Sequence, residues 1–155
     1  MRLSLFCHHS PALPSSTLLN ERTFYKAFLR DLDNCQESLL IESPFITQAR
    51  MNALYPSFRR LTKRGVRVVV NTRDPNEHDL SMRSQALVAV GHMQDLGITV
   101  WYTDYLHRKL AILDSTIMYE GSLNILSQNC SAEIMRRTND QIMARATMKF
   151  LNIVF

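Results

Sequence analysis

Glycine and proline are scarce, four and five residues in a chain of 155. That excludes a collagen-like repeat, and 46% hydrophobic content excludes a disordered chain. Cysteine occurs only at Cys7, Cys35 and Cys130, with no C-x-x-C pair. A disulfide-dense miniature scaffold is therefore excluded, and three reduced thiols in a cytoplasmic protein are expected. No apolar run approaches the roughly 18 residues that span a bilayer. The opening MRLSLFCHH is too short in apolar residues for a secretory core of about 7–15. Internal repeats and low-complexity tracts are missing as well.

What remains fits one domain over 1–155 with a single core, residues 1–16 forming an irregular N-terminal segment. Adjacent Cys7, His8 and His9 point in different directions and have no second ligand pair, so packing rather than a metal site is expected there. The net charge is +4 and the pI about 9.2, a modest excess that favours polyanions. Arg50, Arg59, Arg60, Lys63, Arg64 and Arg67 crowd one stretch, and Arg136 and Arg137 form a pair. Each group is either a solvated face or a track for nucleic acid, with Arg59, Arg60, Lys63, Arg136 and Arg137 the candidate contacts.

The apolar pattern alternates between two periods. Residues 11–16 read as a connector. Phe24, Phe28 and Leu32 predict a helix over Asn20–Asn34, and the run Ser38–Ser43 a buried strand. Met51, Leu54, Phe58 and Leu61 share a helical stripe that ends near Gly65. Val66–Thr72 is β-branched and reads as a strand. The polar loop Asp74–Glu77 follows, where α/β proteins place substrate contacts. A helix over Leu80–Leu96 and a strand over Ile98–Tyr102 come next; His78 and His92 read as incidental. Two short strands, Arg108–Leu113 and Thr116–Glu120, flank Asp114 and Ser115 as a hairpin. A strand near Glu133–Arg137 and a helix from Asp140 complete the chain. The fold class is α/β, a mixed and largely parallel sheet flanked by helices on both faces.

The chemistry concentrates in HRKLAILDSTIMYEGSLN, residues 107–124. His107, Lys109 and Asp114 read H-x-K-x4-D, and Gly121, Ser122 and Asn124 read G-S-x-N. Six such residues at fixed gaps arise by chance in about one chain in 10⁵–10⁶ at residue frequencies of roughly 5%. On a strand, alternate residues share a face, so His107 and Lys109 point the same way. A neutral imidazole can attack phosphorus while the ammonium neutralises the phosphoryl oxygens. Asp114 has the opposite parity to Lys109, which assigns it to the turn or to nearby backbone. Gly121 permits close approach, and Ser122 and Asn124 offer donors to phosphate. These groups supply the positive electrostatics without a metal or other cofactor.

The two motifs resemble the signature of the phospholipase D superfamily, and the stretch 98–138 resembles phospholipase D-like domains attached to bacterial helicases. The resemblance implies the phospholipase D-like fold and a site in which one histidine becomes phosphohistidine while a second protonates the leaving oxygen. With one motif per chain, it implies a homodimer like the small bacterial endonucleases of the superfamily, His107 serving both roles in a shared site. It also implies a carboxylate that orients the histidine, for which Glu133 is the candidate; a surface salt bridge is the other reading of that residue. Arg136 or Arg137 could hold a flanking phosphate. The expected activity is a metal-independent phosphodiesterase, a DNA endonuclease before an RNA one. The alternatives are a nucleic-acid-binding module of a helicase or restriction system, and less readily a phospholipase.

Overall fold

The computed structural model describes residues 14–128 and 130–153; Cys7, His8 and His9 lie outside them. The described residues form seven strands and four helices, which alternate as far as β4. Strand β1 (Ser15–Asn20) precedes helix α1 (Phe24–Asn34), then β2 (Ser38–Glu42), α2 (Gln48–Lys63) and β3 (Arg67–Thr72). A short 3-10 turn (Pro75–Glu77) leads to α3 (Leu80–Asp95) and β4 (Thr99–Tyr102). The hairpin β5 (Leu110–Leu113) and β6 (Ile117–Gly121), then β7 (Ile134–Asn139) and α4 (Gln141–Phe150), follow. No described helix is long and apolar enough to cross a membrane.

The strands form one sheet in the order β1-β7-β6-β5-β2-β3-β4. Parallel pairing is confined to β2–β3–β4; the four junctions from β1 to β2 are antiparallel. The sheet is mixed and helix-covered as expected, but parallel only where helices make the crossovers. From β5 onward the hairpin turn and the helix-free connection over residues 122–133 reverse the chain. Strand alternation divides the core in two. Leu39, Ile41, Val68, Val70, Ala111, Tyr119 and Met135 pack under α1, α2 and α3. Leu40, Val69, Leu110, Ile112 and Met118 face the other way, onto Ala144 and Met148 of α4.

Two expectations shift. Residues 15–20, read partly as connector and partly as helix, form edge strand β1 antiparallel to β7, and α1 begins at Phe24 rather than Asn20. This strand is nearly all exposed, so burial leaves no apolar run to detect. The hairpin turn is as expected: Asp114 and Ser115 adopt φ of 50° and 49°, and Thr116 N–H donates to Leu113 C=O at 3.0 Å. Paired positive φ values are the two-residue turn whose twist matches the strands it joins. Gly65 and Gly97, at φ of 81° and 80°, supply the left-handed residue after α2 and α3.

Candidate active site

Sheet register brings four strand ends to one end of the sheet. Glu42 at the end of β2 faces Leu110 at the start of β5, Leu110 faces Glu120, and Gly121 at the end of β6 faces Met135 at the start of β7. The lead into β5, the exit from β6 and the loop after β2 therefore meet. Phe45, His107, Arg108, Lys109, Gly121, Ser122 and Asn124 line an open cleft of 460 Å³ there. The loop from Asp74 to Glu77 stands beside it, since Glu77 Oε2 accepts from Tyr105 N–H at 3.2 Å.

His107 and Lys109 precede β5 instead of lying inside a strand. The ladder nonetheless extends back one residue, Gly121 N–H donating to Lys109 C=O at 3.4 Å, so the alternation that aligns the two side chains survives. Lys109 Nζ lies 2.6 Å from His107 Nδ1 and donates to the His107 carbonyl at 2.7 Å. An ammonium has no acceptor capacity, so Nδ1 accepts here and the neutral ring carries its proton on Nε2. Partial burial pushes the Lys109 pKa down; the Glu133 carboxylate opposes this and Arg73 adds to it.

Ser122 donates its hydroxyl to Glu133 Oε2 and accepts from Ile134 N–H at 3.1 Å. Glu133 Oε1 accepts from Ser131 Oγ at 2.7 Å. The Glu133 carboxylate thus holds Ser122, and the contact on His107 Nδ1 comes from Lys109 in its place. Asn124 lines the cleft with Oδ1 buried and unpartnered, while its backbone carbonyl accepts from Ser127 and Gln128 N–H and starts a tight turn. Gly121 has a packing reason to be glycine: a Cβ there would stand 2.1 Å from the Ile134 carbonyl oxygen and 2.9 Å from Met135 Cα.

Asp114 lies five residues beyond Lys109 along an extended strand, about 17 Å away. Its carboxylate accepts from the N–H groups of Gln36, Glu37 and Ser38 at 2.9, 2.7 and 3.0 Å and from the Cys35 thiol at 3.3 Å. Burial alone would raise its pKa, but those donors outweigh it and hold the carboxyl below its ordinary value. Asp114 anchors the start of β2 and touches nothing in the cleft.

The basic candidates separate. Arg137 points under α1 with Met135, where Nε reaches Asp31 Oδ2 at 2.5 Å beside the Tyr119 hydroxyl. With 16% of its side chain exposed, it is a half-buried ion-pair partner turned toward α1. Arg136 remains exposed on the opposite face. Arg60 pairs with Asp33 at 2.9 Å, and Arg64 caps α1 through the Leu32 and Cys35 carbonyls. Arg59, Arg60 and Lys63 lie 11–15 residues beyond Gln48, about 17–23 Å down α2 from the cleft. Those three therefore do not border the site.

Two features escape sequence reasoning. Glu42, fully buried, accepts from Arg108 Nε and Nη2 at 2.5 and 2.7 Å and from Asn71 Nδ2 at 2.8 Å. A buried carboxylate needs such partners, and this one fixes the residue between His107 and Lys109. The signal in the sequence was a lone acid ending the run SLLIE. Arg73, directly after β3, donates from Nε to the Leu106 carbonyl at 2.8 Å.

The profile of the cardiolipin synthase, PLD-like domain family matches residues 28–153. Among solved structures, the fold is similar to that of a phospholipase D family member, Nuc, from Salmonella typhimurium. The TM-score is 0.70 at 18% identity, over 88% of this chain and 91% of that one. NucT from Helicobacter pylori is similar with a TM-score of 0.71 at 16% identity, over 88% and 92%. An archaeal chromatin protein with a novel mode of DNA binding, TrmBL2, matches with a TM-score of 0.61 at 10% identity, over 93% of this chain and 53% of that one. No curated protein sequence matches the chain.

Proposed function

The chain belongs to the phospholipase D-like domain family, and from that premise we propose that it is a metal-independent phosphodiesterase that cleaves nucleic acid, DNA before RNA. The observation that carries this reading is the contact of His107 with Lys109 in a cleft they share with Ser122 and Asn124. The net charge of +4 and the fold shared with TrmBL2, a chromatin protein that binds DNA, favour a polynucleotide over a lipid.

In the proposed reaction a phosphoryl oxygen draws the Lys109 ammonium off His107 Nδ1. The proton moves to Nδ1, and Nε2 attacks phosphorus as the P–O bond to the leaving group breaks. His107 of the partner subunit, protonated on both ring nitrogens for this step, gives its Nε2 proton to the leaving oxygen and becomes neutral. The same ring then takes a proton from water, whose oxygen displaces Nε2 and regenerates both histidines. Lys109 offsets the phosphoryl charge as it grows. Asn124 binds a non-bridging oxygen through its side-chain amide, and Ser122 joins it once its hydroxyl proton swings from Glu133 to the phosphate. Homodimerisation is part of this proposal, because one chain supplies one histidine. The free thiols Cys35 and Cys130 support a cytoplasmic setting.

The test is cleavage of end-labelled single- and double-stranded DNA in EDTA by the wild type and His107→Ala. Cutting by the wild type alone is expected, from a species of twice the chain mass. Salt-sensitive binding without cutting by either protein would instead favour a binding module, the reading that TrmBL2 supports.

A further inference from the structure

Beside the cleft, against its Phe45 wall, stands a cation for which the proposed chemistry has no use. Arg73 bonds through Nε to Leu106, the residue before His107, and its guanidinium carbon stands 5.5 Å from the centroid of the Phe45 ring in the cleft wall. The carbonyl and the ring fix the plane of the guanidinium. Arg108 is matched by Glu42, Arg137 by Asp31 and Arg60 by Asp33. No such carboxylate pairs with Arg73 among the described residues. The nearby acids are engaged elsewhere: Asp74 Oδ1 accepts from both Asn76 nitrogens at 2.8 Å, and Glu77 accepts from Tyr105 N–H. Arg73 is also close enough to Lys109 for its charge to oppose that ammonium. Two like charges held together are relieved by a ligand with more than one negative charge.

We propose that Arg73, braced by Phe45, forms a second phosphate subsite beside His107 and Lys109, so that the cleft selects strands of consecutive phosphodiesters over molecules with a single one. This rests on the phosphodiesterase reading and narrows its substrate class. Arginine suits the task because its fork can bind two oxygens of a phosphate from a fixed plane. A ligand with one phosphodiester, such as a simple lipid headgroup, would occupy Lys109 and leave Arg73 empty.

The experiment compares the dinucleotides TpT, pTpT and TpTp, with bis(p-nitrophenyl) phosphate as a single-phosphodiester substrate. Hydrolysis (kcat/KM) and equilibrium binding are both measured for the wild type, Arg73→Gln and Arg73→Lys. One flanking phosphate, 5′ or 3′, should raise wild-type kcat/KM and affinity by about tenfold or more. Arg73→Gln should shrink that advantage to about twofold or less, and Arg73→Lys, which keeps the charge without the fork or the stacking on Phe45, should recover only part of it. Hydrolysis of all four substrates with no gain from a flanking phosphate would overturn the subsite and leave the phosphodiesterase reading standing. A gain that survives in Arg73→Gln would do the same. An Arg73-dependent preference in binding without hydrolysis would uphold the subsite and overturn the reaction.

Discussion

Replacing Asp114 by asparagine separates a fold residue from a catalytic one inside the same motif. The carboxylate accepts three consecutive backbone N–H groups and one thiol. Asparagine keeps one acceptor oxygen and turns an NH₂ toward donors. Hydrogen bonds to a charged acceptor contribute about 1.5–3 kcal/mol each. Gln36 and Glu37 are exposed, so their N–H groups regain water, while Ser38 is buried and does not. The expected loss is about 3 kcal/mol, which for a chain of this size lowers Tm by roughly 6–12 °C. The pH dependence has a definite sign. The folded pKa is depressed, so the stabilisation is full above the unfolded value of about 4 and fades as pH falls through the lower folded value. Melts of wild type and Asp114→Asn should therefore differ fully at pH 7 and converge in acid. Below its melting range, the variant should cleave at nearly the wild-type rate, the carboxylate being about 17 Å from Lys109. A variant that melts like the wild type but has lost cleavage would refute this assignment.

Gly121→Ala should destabilise by on the order of 3 kcal/mol, because its Cβ would meet backbone atoms of β7 and overpacking has few ways to relax there; denaturant melts check this. Arg137→Ala should cost about 1–3 kcal/mol, because buried Asp31 loses its closest cation and keeps the Tyr119 hydroxyl and the more distant Arg30. Arg136→Ala should stay within about 0.5 kcal/mol, and a DNA-binding loss from it but not from a folded Arg137→Lys would agree with their opposite faces. Glu42→Ala should leave the Arg108 fork unpaired and lower cleavage more than DNA affinity, whereas Glu42→Gln should recover part of the rate; kcat and KM measured separately decide it.

The motif made the cleft legible because its residues lie close in sequence and strand alternation aligns them: His107 meets Lys109 even though β5 begins one residue later. Long-range pairing was not legible. Glu42 and Arg108 are 66 positions apart and meet only because β2 and β5 are neighbours. Arg137 sat two residues from Met135, so alternation placed it on the core face. Its partner Asp31 falls seven residues after Phe24 on the apolar stripe of α1. Both signs were in the sequence, but an exposed basic pair and a buried one look alike without the sheet order. Edge strand β1 buries too little to leave a pattern. The Glu133 contact with Ser122 depends on how the chain returns from Asn124 into β7, which spacing alone does not set.

The central claim is that His107 forms a bond to phosphorus during turnover. The most direct test is the stereochemical course at phosphorus, using a substrate with a chiral phosphorothioate diester cleaved in ¹⁸O-labelled water. Two successive in-line displacements, first by His107 and then by water, predict retention of configuration. Inversion would mean that water attacks directly, and would contradict the account.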